Sequence, residues 1–205
     1  MKIVKDITIN EIIIKKSKFI STLKRVNSNE EASNYLKEIK KKYYDATHNC
    51  YAYLIGDNFE IQKQSDDGEP SKTAGFPILD VLKNNEITNT ICIVTRYFGG
   101  IKLGTGGLVK AYQSSCIEVI KKASFVKKAL VENWIVITPY EYLGVMEQYL
   151  RCNTNIIKID YTNNIYFYVS FLKDYLINFK ESIINLTKGK GIADFINYST
   201  SYIDI

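Results

Sequence analysis

Residues 129–172 read "ALVENWIVITPYEYLGVMEQYLRCNTNIIKIDYTNNIYFYVSFL". A β-rich run, 129–140, gives way to apolar residues at helical spacing over 141–152. Two further β-rich runs, 155–162 and 164–172, follow, joined at Thr162-Asn163-Asn164. "DYLINFKESIINLTKG" (174–189) then predicts a helix closed by Gly189, and "DFINYSTSYIDI" (194–205) a last strand. The order is β-α-β-β-α-β, the ferredoxin-like unit: a four-stranded antiparallel sheet with two helices on one face. The segment before it follows a different pattern, so the expectation is α+β with two domains, 1–127 and 128–205, and no long linker between them.

In the N-terminal segment, Ile7–Ile14 and Phe19–Val26 are predicted strands separated by "KKSK". Ser28 and Glu31 form a capping box ahead of a helix whose apolar stripe is Ala32, Tyr35, Leu36, Ile39 and Tyr43. "HNCYAYLIG" and "FEIQKQ" read as a hairpin, "SDDGEP" as a polar turn, and about Phe76–Leu82 as a short helix with Pro77 in its first turn. "NTICIVTRYF" is apolar at nearly every position, which predicts a central strand. Leu108, Val109, Tyr112, Cys116, Val119 and Ile120 mark a long helix ending at Lys121-Lys122.

With 205 residues and 46% apolar composition, the chain buries a core. The lysine-laced N-terminus lacks a signal peptide's apolar region, and no stretch approaches the ~18 apolar residues of a membrane span. The expectation is a cytoplasmic protein. Cys50, Cys92, Cys116 and Cys152 lie far apart, without metal or redox spacing, and read as buried free thiols. Residues 1–128 carry 21 Lys/Arg against 14 Asp/Glu, a net +7, whereas 129–205 carry 6 against 8, a net −2. A basic first domain fits an acidic partner such as RNA, or equally a set of solvated lysine faces.

Two stretches carry candidate chemistry. "TRYFGGIKLGTGGLVKAY" (95–112) holds five of the eleven glycines. Gly104, Thr105, Gly106 and Gly107 precede a helix, where free amides and the positive end of the dipole receive anions. Arg96, Lys102 and Lys110 add charge-assisted donors. The stretch is neither a P-loop nor a dinucleotide fingerprint. Close packing of strand, loop and helix explains the glycines equally well. The second stretch, "SDDGEPSKTAG", offers Asp66, Asp67 and Glu69. These fit an ordinary Asp-Gly turn better than a cation site or an acid–base pair. His48, the single histidine, reads as a structural hydrogen-bonding residue, or less readily as the partner of Cys50 in a nucleophile pair.

"KSKFI", "ATHNCYAYLIG", "SDDGEPSKTAGFPIL" and "VTRYFGGIKLGTGGLVKAY" resemble, in order and spacing, the signature of the IMPACT/YigZ family, and the whole chain is similar to its bacterial two-domain members. The resemblance implies a first domain with the fold of a ribosomal protein's second domain, also found in elongation factor G domain IV, and a ferredoxin-like second domain. It also implies a role near translation, because the family's eukaryotic members regulate the kinase that answers amino-acid starvation. Lys72 stands where the family commonly has Gly or Ala.

The function expected is a translation-associated regulator binding RNA or a ribosome-associated protein through the first domain, with no catalytic residue, cofactor or metal assigned. Arg96, Lys102, Gly104–Gly107 and Lys110 are the anion-binding candidates. His48, Asp66, Asp67, Glu69, Lys72 and Thr73 are expected to support the glycine loop or form a partner surface, with Asp66 or Asp67 accepting from Arg96, His48 or loop amides. The alternatives are a phosphate-handling enzyme using the acidic turn, and a purely protein-binding module.

Overall fold

The computed structural model describes all residues, Met1–Ile205, and divides into two compact units, Met1–Lys127 with Asp204–Ile205, and Lys128–Ile203. The first is built on a five-stranded sheet in the order β2-β3-β6-β4-β5, formed by Thr8–Ile14, Ser17–Arg25, Thr90–Tyr97, His48–Ile55 and Ile61–Ser65. Every neighbouring pair is antiparallel. The helix α1 (Asn29–Lys42) packs Ala32, Tyr35 and Ile39 against Tyr53, Ile55, Ile91 and Ile93 on one face. The helices α2 (Gly75–Asn84) and α3 (Thr105–Lys122) cover the other, burying Ile78, Leu82, Tyr112 and Cys116 against Phe19, Cys50, Cys92 and Val94. Strand β6 is therefore buried on both faces, the physical reason for its unbroken apolar run.

Ser28 caps α1 as its spacing requires, its hydroxyl accepting from the Glu31 amide at 3.1 Å, while the Glu31 carboxylate reaches back to the Asn27 amide at 2.7 Å. One strand escaped the sequence reading. Ile3–Val4 (β1) pairs with Phe125 and Val126, so β7 (Phe125–Thr138) begins four residues before the predicted start at Ala129. Asp204 and Ile205 also join the first unit, through Lys5 Nζ to Asp204 Oδ1 at 2.6 Å and the Ile205 amide to the Phe125 carbonyl at 3.1 Å.

In the second unit, β7 is followed by α4 (Leu143–Asn153), β8 (Asn155–Tyr161), β9 (Ile165–Leu172), α5 (Phe179–Leu186) and β10 (Ile192–Asp204). The sheet order is β10-β7-β9-β8, so the expected ferredoxin-like arrangement is the one observed. Val136, Phe167, Val169 and Phe171 face Met146, Leu150, Phe179 and Ile183 of the helices. The helix predicted over 174–189 is shorter at both ends, because Asp174 takes a positive φ of 61° and Gly189 one of 83°. No helix is long and apolar enough to cross a membrane.

Candidate functional site

Each motif of the first unit contributes to one buried polar network beside the glycine loop. Arg96, on the central strand β6, donates from Nη1 to Glu69 Oε1 at 2.6 Å and from Nη2 to Ser17 Oγ at 3.3 Å. Phe19 and Phe98 flank its guanidinium, with ring centroids 5.4 and 5.6 Å from Cζ. Tyr112 of α3 donates to the same Glu69 oxygen at 2.8 Å, and His48 Nε2 lies 3.9 Å from the other. Both charges are withdrawn from water: Arg96 is 5% exposed and Glu69 9%. Burial pushes the Tyr112 hydroxyl well above its ordinary range.

Ser17 also receives the Gly99 amide at 3.2 Å, and Thr47 Oγ1 receives the Phe98 amide at 3.0 Å, so the entry to the glycine loop is held by two hydroxyls. A Cβ at Gly99 would stand 2.0 Å from the Lys16 carbonyl carbon, a close approach that only glycine permits. Gly104 takes φ 71° and starts α3 with no side chain capping the first turn. Its carbonyl receives the first intrahelical bond, from the Leu108 amide at 2.9 Å. Space is open around the Cβ positions of Gly104 and Gly106. A cavity of about 330 Å³ lies at this helix start, lined by His48, Glu69, Arg96, Phe98, Lys102, Leu103, Gly104 and Thr105 among others.

The acidic turn meets the expectation at one point, the Asp67 carbonyl against His48, and its two aspartate carboxylates are used elsewhere. Asp66 Oδ1 accepts from the Ala74 and Gly75 amides at 2.9 and 2.8 Å, and Oδ2 from the Lys72 amide at 2.8 Å, so this carboxylate caps α2 from a distance. Asp67 Oδ2 accepts from the Asn49 amide at 2.7 Å and Oδ1 from Lys40 Nζ at 2.6 Å, while its carbonyl meets His48 Nδ1 at 2.8 Å. Glu69, and neither aspartate, is thus the partner of Arg96. The sole link to His48 from the pair is the Asp67 carbonyl, and neither carboxylate bonds a glycine-loop amide. The physical reason is position: the turn carries Asp66 toward the start of α2 and Asp67 toward β4, leaving Glu69 to point inward. Thr73 is buried and donates to the Pro70 carbonyl at 2.6 Å.

Arg96, an anion-binding candidate by sequence, lines the cavity with its charge buried and matched by Glu69. Lys110 is exposed on α3 but does not line the cavity, so Lys102 is the one lysine there. Cys50 Sγ lies 2.9 Å from the Asp66 carbonyl, which accepts its single proton, and 3.3 Å from Tyr112 Oη. Burial pushes its thiol upward, opposing thiolate formation and a nucleophilic role. No cluster of three His, Cys, Asp or Glu side chains is arranged to hold a metal ion. Ser17, Thr47 and Tyr112 carry no charge that would mark them as site residues by type, although all three stand inside the four quoted motif stretches.

A two-domain α+β protein, with a buried Arg–Glu pair beneath an uncapped glycine-rich helix start and a ferredoxin-like second unit, is the class so defined. The family model described as the Impact N-terminal domain matches residues 15–120, which contain every residue of this network. IMPACT family member YvyE of Bacillus subtilis (strain 168) is 44% identical over 188 residues, covering 91% of this chain and 87% of the relative. IMPACT family member YigZ of Escherichia coli (strain K12) is 32% identical over 179 residues, covering 86% and 88%. A solved crystal structure of a hypothetical protein aligns with TM-score 0.61 at 30% identity, covering 96% and 97% of the two chains. The chain belongs to the IMPACT family.

Proposed function

We propose that the chain is a translation-associated regulator whose first unit binds RNA through its phosphate backbone at the start of α3. One observation carries this reading: Gly104 opens α3 without a capping side chain, at the mouth of a cavity that Lys102 also lines. Amide donors and the positive end of an 18-residue helix there favour a phosphate oxygen. The absence of side chains at Gly104 and Gly106 lets a bulky backbone approach. Family membership supplies the connection to translation. The basic excess of the first 128 residues supplies the long-range attraction.

The competing enzyme reading gains no support from the acidic turn, since Asp66 and Asp67 are both occupied by backbone amides. Co-sedimentation of the protein with ribosomes and with mixed RNA across a salt series tests the proposal. Binding should weaken as salt rises, and Lys102→Gln should weaken it for all sequences and flatten the salt slope by about one unit. An unaltered slope and affinity in a folded Lys102→Gln protein would refute the site.

A further inference from the structure

The second unit carries an independent candidate surface on its sheet. Its helices cover one face; the other holds the alternate residues of the central strands. On β9 these are Tyr166 and Tyr168, both half-buried, paired across to Ile137 and Ile135 of β7 and to Asp160 and Lys158 of β8. Lys158 Nζ lies 5.5 Å from the Tyr168 ring centroid and its side chain is mainly exposed. Further along the same face, Val131, Asn155, Ser170 and Leu172 help line a cavity of about 570 Å³. Asn155 Nδ2 reaches Ser170 Oγ at 3.5 Å, so amide and hydroxyl groups stand two residues beyond the aromatic pair.

Sheet modules that bind single-stranded RNA with this strand order stack bases on aromatics of the third strand, in the pattern K/R-G-F/Y-G/A-F-V-x-F/Y. Strand β9 is the third strand of the unit, and residues 164–171 read N-I-Y-F-Y-V-S-F. The two platform aromatics, Val169 and Phe171 fall on the pattern, with tyrosine for phenylalanine at Tyr168. Asn164, Ile165 and Phe167 depart from it. Phe167 is fully buried on the helix side, so it does not obstruct the platform.

We propose that the open face of β7 and β9 binds single-stranded RNA by stacking bases on Tyr166 and Tyr168, with a flanking base entering the cavity beside Asn155 and Ser170. Alternate strand residues stand about 6.7 Å apart, which leaves one splayed base to each ring. The surface gains little from charge. Lys158 is paired with Asp160 at 2.7 Å, and residues 128–205 carry 7 Lys/Arg against 8 Asp/Glu. Binding here therefore rests on stacking, with a shallow salt dependence, and does not depend on the site at α3.

The test uses the full-length chain and a fluorescein-labelled eight-nucleotide oligouridylate, read by anisotropy at two salt concentrations. Tyr166→Leu/Tyr168→Leu should lower affinity roughly 5- to 150-fold for each ring lost while leaving the salt slope unchanged. Tyr166→Phe/Tyr168→Phe should bind like the parent. Photocrosslinking of a 5-bromouridine version should map to β9. Lys102→Gln should change the slope and leave that crosslink in place, so the two sites fail separately. A parent protein giving no crosslink on β9, or a folded leucine variant of parental affinity, would overturn the proposal.

Discussion

Replacing Glu69 by glutamine should destabilise the first unit by about 3–5 kcal/mol, the cost of leaving a buried charge without its partner. The substitution keeps the shape and one carbonyl acceptor for the Tyr112 hydroxyl, 2.8 Å away in the parent, so the change isolates the charge facing Arg96 Nη1 at 2.6 Å. Arg96 cannot turn outward to rehydrate, because Phe19 and Phe98 flank its guanidinium and Ser17 holds its other terminal nitrogen. A guanidinium group keeps its charge inside proteins, so the stranded cation has no neutral form to fall back on. With unfolding entropy scaling with chain length, a unit of about this size should lose roughly 10–20 °C of melting temperature. Urea denaturation followed by circular dichroism gives the free energy, and an unchanged m-value shows that the same surface is exposed. The double variant Glu69→Leu/Arg96→Met should recover much of the loss, since removing both partners leaves no stranded charge. A Glu69→Gln protein within about 0.5 kcal/mol of the parent, the usual range for surface substitutions, would refute the buried-pair reasoning.

Asp66→Ala should cost about 2 kcal/mol or more by stripping the acceptor from three amides, and hydrogen exchange should accelerate at Lys72, Ala74 and Gly75 ahead of the rest of the unit. Gly99→Ala should destabilise strongly, because its Cβ would stand 2.0 Å from the Lys16 backbone, whereas Gly106→Ala, in open helical space, should stabilise by about 0.5–1 kcal/mol in thermal melts. Alkaline titration should weaken the fold: burial raises Tyr35 to about 12 and lifts Tyr112 further, so the folded state holds these protons more tightly than the unfolded one. That stability is complete below the ordinary tyrosine range near about 10 and is lost as pH rises through the folded values, which melting temperatures across that range will show.

The second unit was legible because its signals are local. The period of apolar residues changes between 2 and 3.6 at each boundary, and a β-α-β-β-α-β order admits few sheet arrangements. The glycine loop was legible as a special backbone for the same reason. The partners of its charges were not. Arg96 stands beside the loop in sequence and looks like a ligand donor, yet Glu69, 27 residues earlier, neutralises it below the surface. Asp66 and Asp67 looked like equivalent carboxylates. A positive φ of 43° at Asp67 and the turn after it send one to the start of α2 and the other to the amide of Asn49. Strand β1 was hidden because two residues, Ile3 and Val4, carry too short a pattern to read, and only their pairing partners at 125 and 126 define them.

The electrostatics of the cavity follow from these pairings. Arg96 and Glu69 cancel at its wall, and Asp67 is spent on Lys40 and a backbone amide. What remains uncancelled along the lining is Lys102 together with the fractional positive charge of the α3 N-terminus, about half an elementary unit. On the function proposed above, such a site would take one phosphate. It contributes about one unit to a salt slope, far from the steep dependence of a protein neutralising six to ten phosphates. Tight binding by the whole chain therefore requires contacts of another kind, which salt hardly affects. The aromatic face of β9 offers such contacts, since stacking on Tyr166 and Tyr168 adds affinity without releasing counterions. A measured slope near one, with an affinity that collapses on loss of the two tyrosines, is the combined signature of both surfaces. A slope of five or more would instead place the binding on the exposed lysines of the first unit and remove the need for either.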